Sequence, residues 1–192
     1  MSRTETAAVR TLPPMSAFLR RLYFSRFAFA VVWAIVLLLT ASHGGALLTV
    51  LLVVYPLVDA ASVLWQLRTE KAGSRARTSE WINVIVSVLV AVALGIASTV
   101  SASAALAVWG VWAIVAGIPQ LITAVARFRS GGQVPQILSG GISVFAGSGF
   151  LIQGVGGSGA VSGVGGYAIL GGVFFLVSAI RLSILLKRAA AA

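Results

Sequence analysis

Six long apolar stretches dominate this sequence and constrain its fold more than any other feature. A helix needs about 20 mostly apolar residues to cross a bilayer, and each stretch approaches or exceeds that length. They cover residues 24–41, 46–67, 81–97, 102–126, 134–153 and 160–186, and the third is the shortest. The sequence therefore predicts an all-α integral membrane protein with six transmembrane helices.

Composition excludes an ordinary soluble domain. Of the 192 residues, 59% are hydrophobic and 9% are charged, whereas about a quarter are charged in typical soluble domains. The net charge is +10, but the basic residues lie between the apolar stretches and form no surface interleaved with aromatic residues. We therefore expect a lipid bilayer and its anionic headgroups as partners, and no nucleic acid.

The basic residues also predict the orientation of the chain. The segments before the first stretch and after the second, fourth and sixth hold almost all of the 14 Lys and Arg residues, while the other three connections carry no Lys, Arg, Asp or Glu. The positive-inside rule makes the basic side cytoplasmic. We predict a multi-pass membrane protein with both termini in the cytoplasm. Its basic N-terminal tail is 1–23, its membrane domain 24–187 and its C-terminal tail 188–192.

The chain contains an internal repeat. Residues 112–125 align without gaps to 167–180, with Ala, Ile, Gly, Leu and Ala matched at five positions. The second stretch aligns with the fourth less closely, and in that alignment Tyr55 lies opposite Trp112. The pattern indicates three two-helix hairpins, about 24–67, 81–126 and 134–187. Each hairpin enters from the cytoplasm and returns there, which makes the repeats parallel.

Polar residues recur on single helix faces within these stretches. Residues three or four apart share a face, and such stripes occur on the second, fourth and sixth stretches. Their members are Tyr55, Asp59, Ser62 and Gln66; Gln120, Thr123 and Arg127; and Ser178 and Arg181. Gln66, Thr123 and Ser178 are equivalent under the repeat. Because polar groups facing lipid are costly, we expect these stripes to face a common interior.

Asp59 is the only acidic residue inside an apolar stretch. An ionisable group at membrane depth normally has a partner or faces a cavity. The rise of about 1.5 Å per helical residue puts Arg26 and Arg181 at a similar depth. We predict that Asp59 points into the bundle, within hydrogen-bond or one-water reach of Arg26 or Arg181. Two roles remain open: an ion pair that fixes helix register, or a titrating or substrate-contacting carboxylate.

Other patterns do not predict a catalytic or cofactor site. The glycine-rich segment 154–159 matches a dinucleotide fingerprint, but no βαβ unit surrounds it. An aspartyl protease would need a second carboxylate, and His43 alone makes no metal site. We expect no enzyme activity, cofactor or metal. Ser139, Ser143 and Gly147, spaced by four, predict close helix packing, with homo-oligomerisation as the alternative.

The pattern as a whole resembles the HdeD-like acid-resistance membrane proteins, a family built from a short repeat classed as a domain of unknown function. The resemblance rests on the repeats, on Tyr55-x-Leu57-x-Asp59, on Trp112-Ala113-Ile114-x-x-Gly117, and on the small residues of the last two stretches. It implies a bacterial inner-membrane protein connected with acid or envelope stress, and it transfers no catalytic residue. The alternative is a small proton-coupled transporter in which Asp59 carries the proton.

Overall fold

The computed structural model describes residues 14–69, 74–126 and 134–191. Over these ranges the chain forms six α-helices and one 3-10 turn, with no strand. The helices are α1 Pro14–Thr40, α2 Gly45–Thr69, α3 Ser74–Val100, α4 Ala102–Ala126, α5 Val134–Val155 and α6 Ser162–Ala191. The predicted all-helical class is confirmed.

All six helices are long and apolar enough to cross a membrane. Their outward surfaces are also apolar: Phe145 is 84% exposed and Val155 77% exposed, and many Leu, Ile and Val side chains on all six helices are exposed as well. A monomeric soluble protein rarely exposes large contiguous apolar patches. Length, hydropathy and surface therefore agree with a multi-pass membrane protein.

Two helices extend well beyond the predicted spans. The third stretch looked short at 81–97, whereas α3 runs from Ser74 to Val100. Similarly, α1 begins at Pro14, ahead of the span predicted to start at residue 24. Hydropathy reports only the apolar part of a helix, and the helix continues into polar flanks until a residue breaks it. Proline suits the first helical position because no intrahelical bond needs its missing N–H. The basic segment after the fourth stretch, 127–133, lies outside the described residues.

The helices form a closed ring in which α1 contacts α2, each later helix contacts the next, and α6 returns to α1. The packing alternates in extent around the ring. Contacts are extensive for α2 with α3, α4 with α5 and α1 with α6, and slight for α1 with α2, α3 with α4 and α5 with α6. The closest packing therefore joins neighbouring hairpins, while the two helices within each predicted hairpin touch little.

The α4–α5 pair is the closest, and glycines spaced by seven make it so. Gly110 on α4 faces Gly147 on α5, where an added Cβ at position 110 would lie 2.6 Å from the Gly147 carbonyl oxygen. Seven residues later on α4 and seven residues earlier on α5, a Cβ on Gly117 would lie 2.9 Å from the carbonyl oxygen of Gly140. At the far end a Cβ on Gly154 would lie 2.5 Å from the Ala107 backbone nitrogen. These positions admit no side chain because backbone atoms occupy the space.

The other extensive pairs use different chemistry. Between α1 and α6, Gly165 packs against Leu38 and Gly172 against Ala30. Between α2 and α3, the Ser98 hydroxyl donates to the Thr49 hydroxyl at 3.0 Å. The α2–α3 pair also holds the polar network described below.

The apolar core lies in the half of the bundle away from the described chain ends. Its largest fully buried side chain is Trp109, and Leu37, Leu52, Leu94 and Leu106 surround it with at most 1% exposure. Consecutive helices run antiparallel because their described connections are short, so α1 begins and α6 ends at the opposite end of the bundle. We call that opposite end the basic end because Arg20, Arg21, Arg68, Lys187 and Arg188 lie there.

A glycine pair on α5 tests the backbone contact between α4 and α5. Gly147→Ala adds a Cβ 2.8 Å from the Gly110 carbonyl oxygen, and overpacking of this kind costs about 1–3 kcal/mol. Gly141→Ala on the same helix meets nothing within 4 Å and serves as the matched control. We expect Gly147→Ala to lower the free energy of unfolding in detergent titrations and Gly141→Ala to leave it unchanged or higher. Equal effects of the two substitutions would contradict the packing described here.

Candidate functional site

The Asp59 carboxylate on α2 accepts hydrogen bonds from three side chains on two other helices. Arg26 on α1 donates from its guanidinium to Oδ1 and forms an ion pair with it. Asn83 and Ser87, both on α3, donate to Oδ2 at 3.1 Å each. The predicted inward orientation and the pairing with Arg26 are both found, and among the described residues the Asp59 ion pair is with Arg26 rather than Arg181.

The two partners on α3 were missed by the sequence analysis. Asn83 and Ser87 are four residues apart, so they share one helix face, and Ser87 is fully buried. Their spacing is visible in the sequence, but the internal repeat aligned no equivalent polar residues with them. Asn83 also lies close to the start of the third stretch, which is the shortest. A buried polar pair at helical spacing was the signal that could have identified them.

The Arg26 guanidinium also contacts an aromatic ring. Its central carbon lies 4.2 Å from the centroid of Phe175 on α6, within the range of a cation–π interaction. Tyr23, one turn earlier on α1, stacks on the same ring at 6.0 Å. Arg26 and Asp59 side chains are 17% and 16% exposed. The pair is therefore largely sheltered, and its charges compensate each other within the bundle.

An aromatic cluster forms the part of the apolar core that lies nearest this pair. Trp33 stacks on Trp109 at 5.6 Å between centroids, and Tyr55 packs against both rings. Trp112 stands edge-on to Trp109 at 5.2 Å. The Trp33 indole N–H donates to the Leu51 carbonyl oxygen at 2.7 Å, in the turn of α2 that precedes Pro56. The cluster joins α1, α2 and α4 and fills the centre of the ring at this level.

A cavity of about 560 Å³ lies beyond the cluster and is lined by all six helices. Its size falls within the range of about 300–1,000 Å³ found for small-molecule sites. Its charged and amide-bearing lining residues are Arg26, Asp59, Asn83, Gln120 and Arg181. Its hydroxyl-bearing residues are Tyr23, Tyr55, Ser139, Ser143, Tyr167 and Ser178. Arg181 is itself exposed, so the cavity reaches the surface on the side of the basic end.

A further polar contact in the wall of this cavity joins α5 to α6. The Ser143 hydroxyl on α5 and the Tyr167 hydroxyl on α6 lie 2.9 Å apart. The Tyr167 ring stands edge-on to Phe150 at 5.9 Å between centroids. Helices α5 and α6 otherwise touch little, so these contacts account for much of their interaction.

The predicted stripes do not all face this interior. Tyr55, Asp59, Gln120, Ser178 and Arg181 line the cavity, as does Arg26. The expectation for Gln66 is wrong: its amide donates to the Glu80 carboxylate on α3 at 3.3 Å, because α2 packs closely on α3 along this turn. Ser62 is buried and donates to the Val58 carbonyl oxygen of its own helix. The Thr123 side chain lies outside the described part of the chain. Within the described ranges, no three Asp, Glu or His side chains converge on a point that could hold a metal ion.

The Asp59 network predicts a specific pattern of stabilities. Removing one partner of a buried ion pair costs about 3–5 kcal/mol, and the remaining exposure places this pair near the lower limit. We expect Asp59→Ala and Arg26→Met each to destabilise the bundle by about 3 kcal/mol. The double variant Asp59→Leu with Arg26→Met should cost clearly less than either single change, as measured by unfolding in mixed detergent micelles. Additive losses would show that the two side chains are not coupled.

Comparisons with protein-family models, with curated proteins and with solved structures found no match to this chain. The resemblance to the HdeD-like family therefore stays a prediction from the residues. The site is accordingly characterised by its own geometry: one carboxylate with three donors, at the inner margin of a cavity that all six helices line.

Proposed function

We propose that this is a non-enzymatic protein of the bacterial inner membrane that helps the cell survive acid or envelope stress, with Asp59 in a structural role. One observation carries the structural role. The Asp59 carboxylate is held by a guanidinium, an amide and a hydroxyl from two other helices, which satisfies it in its ionised form. The stress role rests on the resemblance to the HdeD-like family.

We further propose that the bundle consists of three parallel hairpin repeats with both termini in the cytoplasm. Two observations support the repeat. Tyr55, Trp112 and Tyr167, equivalent in the sequence alignment, all line the same cavity. Extensive and slight helix contacts alternate around the ring, as expected when one hairpin arrangement occurs three times. The clustering of basic residues at one end supports the orientation.

The orientation is tested with reporters fused after Lys187. A reporter that works only in the cytoplasm should be active there, and one that works only outside the membrane should be inactive. The same pair of reporters fused within the loop at Gly157, which has a positive φ of 69°, should give the reverse result. Activity of the external reporter after Lys187 would overturn the proposed orientation.

A proton-coupled transporter is the second candidate, and the cavity favours it. Asp59 and Arg26 both line a space of about 560 Å³, so a substrate there would lie close to the carboxylate. In this alternative, Asp59 would release its partners and carry a proton during transport. The two candidates therefore differ in whether the cell needs the carboxylate itself or only the folded bundle.

Acid survival distinguishes the two candidates. We expect loss of the chain to lower survival after an acid challenge, and the wild-type chain to restore it. The double variant Asp59→Leu with Arg26→Met should also restore survival when it is present at wild-type levels in the membrane. Full loss of function in that folded variant, together with substrate-dependent proton release from wild-type but not Asp59→Asn vesicles, would support the transporter. No survival defect on deletion would overturn the stress role.

A further inference from the structure

From the charges and walls of the central cavity, we infer that it is a binding site for a small amphipathic organic anion, with Arg181 holding the anionic group. The ligand class is an aryl or short acyl carboxylate that enters from the water at the basic end. This inference is independent of the stress role and of the orientation in the membrane. It rests on the charge balance of the cavity, on the distribution of its polar and aromatic walls, and on its closed inner end.

The charge balance leaves one cation available. Arg26 is paired with Asp59 and lies against the Phe175 ring, so its charge is compensated. Arg181 lines the same cavity, is exposed, and is in ion-pair contact with no carboxylate among the described residues. The only described carboxylate on the cavity wall already has three donors. The cavity therefore offers an uncompensated positive charge and no free negative one.

The wall near Arg181 is polar, and further in aromatic rings line the cavity beside the Arg26–Asp59 pair and Ser143. Phe174, Ser178 and Arg181 are spaced by four and three on α6, so they lie in line along one helix face. Gln120 on α4 adds an amide on the polar side. At a helical rise of about 1.5 Å per residue, Phe174 lies about 10 Å from Arg181 along the bundle axis and Tyr167 about 21 Å. On α4, Trp112 lies about 12 Å beyond Gln120. A molecule with an anionic head and a flat apolar body matches this order.

The inner end of the cavity is closed, which excludes entry from the side of the apolar core. Trp33 and Trp109 stack beyond Trp112 and are buried at 3% and 0% exposure. Leu52 and Leu106 pack around them at 1% exposure. A ligand that entered past Arg181 would therefore keep its charge beside Arg181 and point its apolar part inward, beside Phe174 and toward the aromatic cluster. A cationic ligand would place its charge beside Arg181 and is disfavoured.

Two pairs of variants distinguish changes at cavity-lining residues from matched changes outside the cavity. Arg181→Gln removes the proposed anion-binding charge, and Arg188→Gln, further along the same helix and also exposed, removes an equal charge outside the cavity. Gly171→Leu introduces a side chain at a lining position where a Cβ meets nothing within 4 Å. Gly166→Leu makes the same change at an equally open α6 position outside the lining. Arg181 and Arg188 are exposed, and a Cβ at Gly166 or Gly171 meets nothing within 4 Å, so we expect all four variants to fold.

The test uses the full chain in nanodiscs of neutral lipid and measures binding of 2-naphthoate by equilibrium dialysis, with empty nanodiscs subtracted. We expect saturable binding of one naphthoate per chain, and binding at least about tenfold weaker for 2-naphthamide and for a naphthyl trimethylammonium, because a charge-assisted hydrogen bond is lost. Arg181→Gln should weaken naphthoate binding about tenfold, and Arg181→Lys should preserve most of it. Gly171→Leu should abolish binding, while Arg188→Gln and Gly166→Leu should leave it unchanged.

Several outcomes would overturn the inference. They are absence of saturable naphthoate binding, preference for the cationic analogue, and naphthoate binding that survives both Arg181→Gln and Gly171→Leu. A last comparison separates a dissolved anion from a lipid headgroup. In nanodiscs rich in phosphatidylglycerol, at salt high enough to screen the surface charge, naphthoate binding should be unchanged. Loss of binding there would assign the cavity to the lipid headgroup and overturn the proposed entry from water.

Discussion

The bundle depends on accommodating one carboxylate inside an apolar structure. Moving a bare carboxylate from water into a low-dielectric interior costs several kcal/mol even after relaxation. Here the cost is offset by a guanidinium from α1 and two neutral donors from α3. Because Asp59 itself lies on α2, the network fixes the relative register of three helices. In this structure Asp59 and Arg26 compensate each other, so the pair adds no net charge to the neighbouring cavity.

Close packing within three helix pairs explains the presence of the cavity. Glycines hold α4 against α5, small residues hold α1 against α6, and polar contacts join α2 to α3. The pairs touch one another less closely, so space remains along the axis where they meet. Large aromatic side chains fill that space at the level of Trp33 and Trp109. Toward the basic end the side chains facing the axis do not fill it, and the cavity forms there.

Hydropathy predicted the helices well, because an apolar stretch of this length has few alternatives to a spanning helix. It predicted the ends of α1 and α3 poorly, since those helices extend into polar flanks that no breaker interrupts. Charge pairing by depth predicted that Asp59 pairs with Arg26 or Arg181, and the structure shows Arg26 as the partner. Helix faces were less predictable. Gln66 turned toward Glu80 on α3 because pairwise helix packing, invisible in a single sequence, decides which stripe faces the axis.

The glycines spaced by seven also show that a single sequence does not reveal which helices pack together. Gly110 and Gly117, and Gly140, Gly147 and Gly154, recur every seven residues, yet the sequence alone does not say which helix they face. Only the assembled α4–α5 pair shows that backbone atoms occupy the space beside them. The sequence predicted small-residue packing on α5, whereas the partner helix and the depth of contact came from the structure.

The central claim is that Asp59 is an ionised, fully partnered carboxylate, and its vibrational spectrum tests this most directly. An infrared difference spectrum of the wild-type chain minus Asp59→Asn, recorded in lipid at neutral pH, isolates the stretching bands of this one side chain. We expect the paired symmetric and antisymmetric bands of a carboxylate. These bands should shift in the Arg26→Met variant, because the charged donor to Asp59 is lost. A carbonyl band of a protonated carboxylic acid in the wild-type spectrum would contradict it.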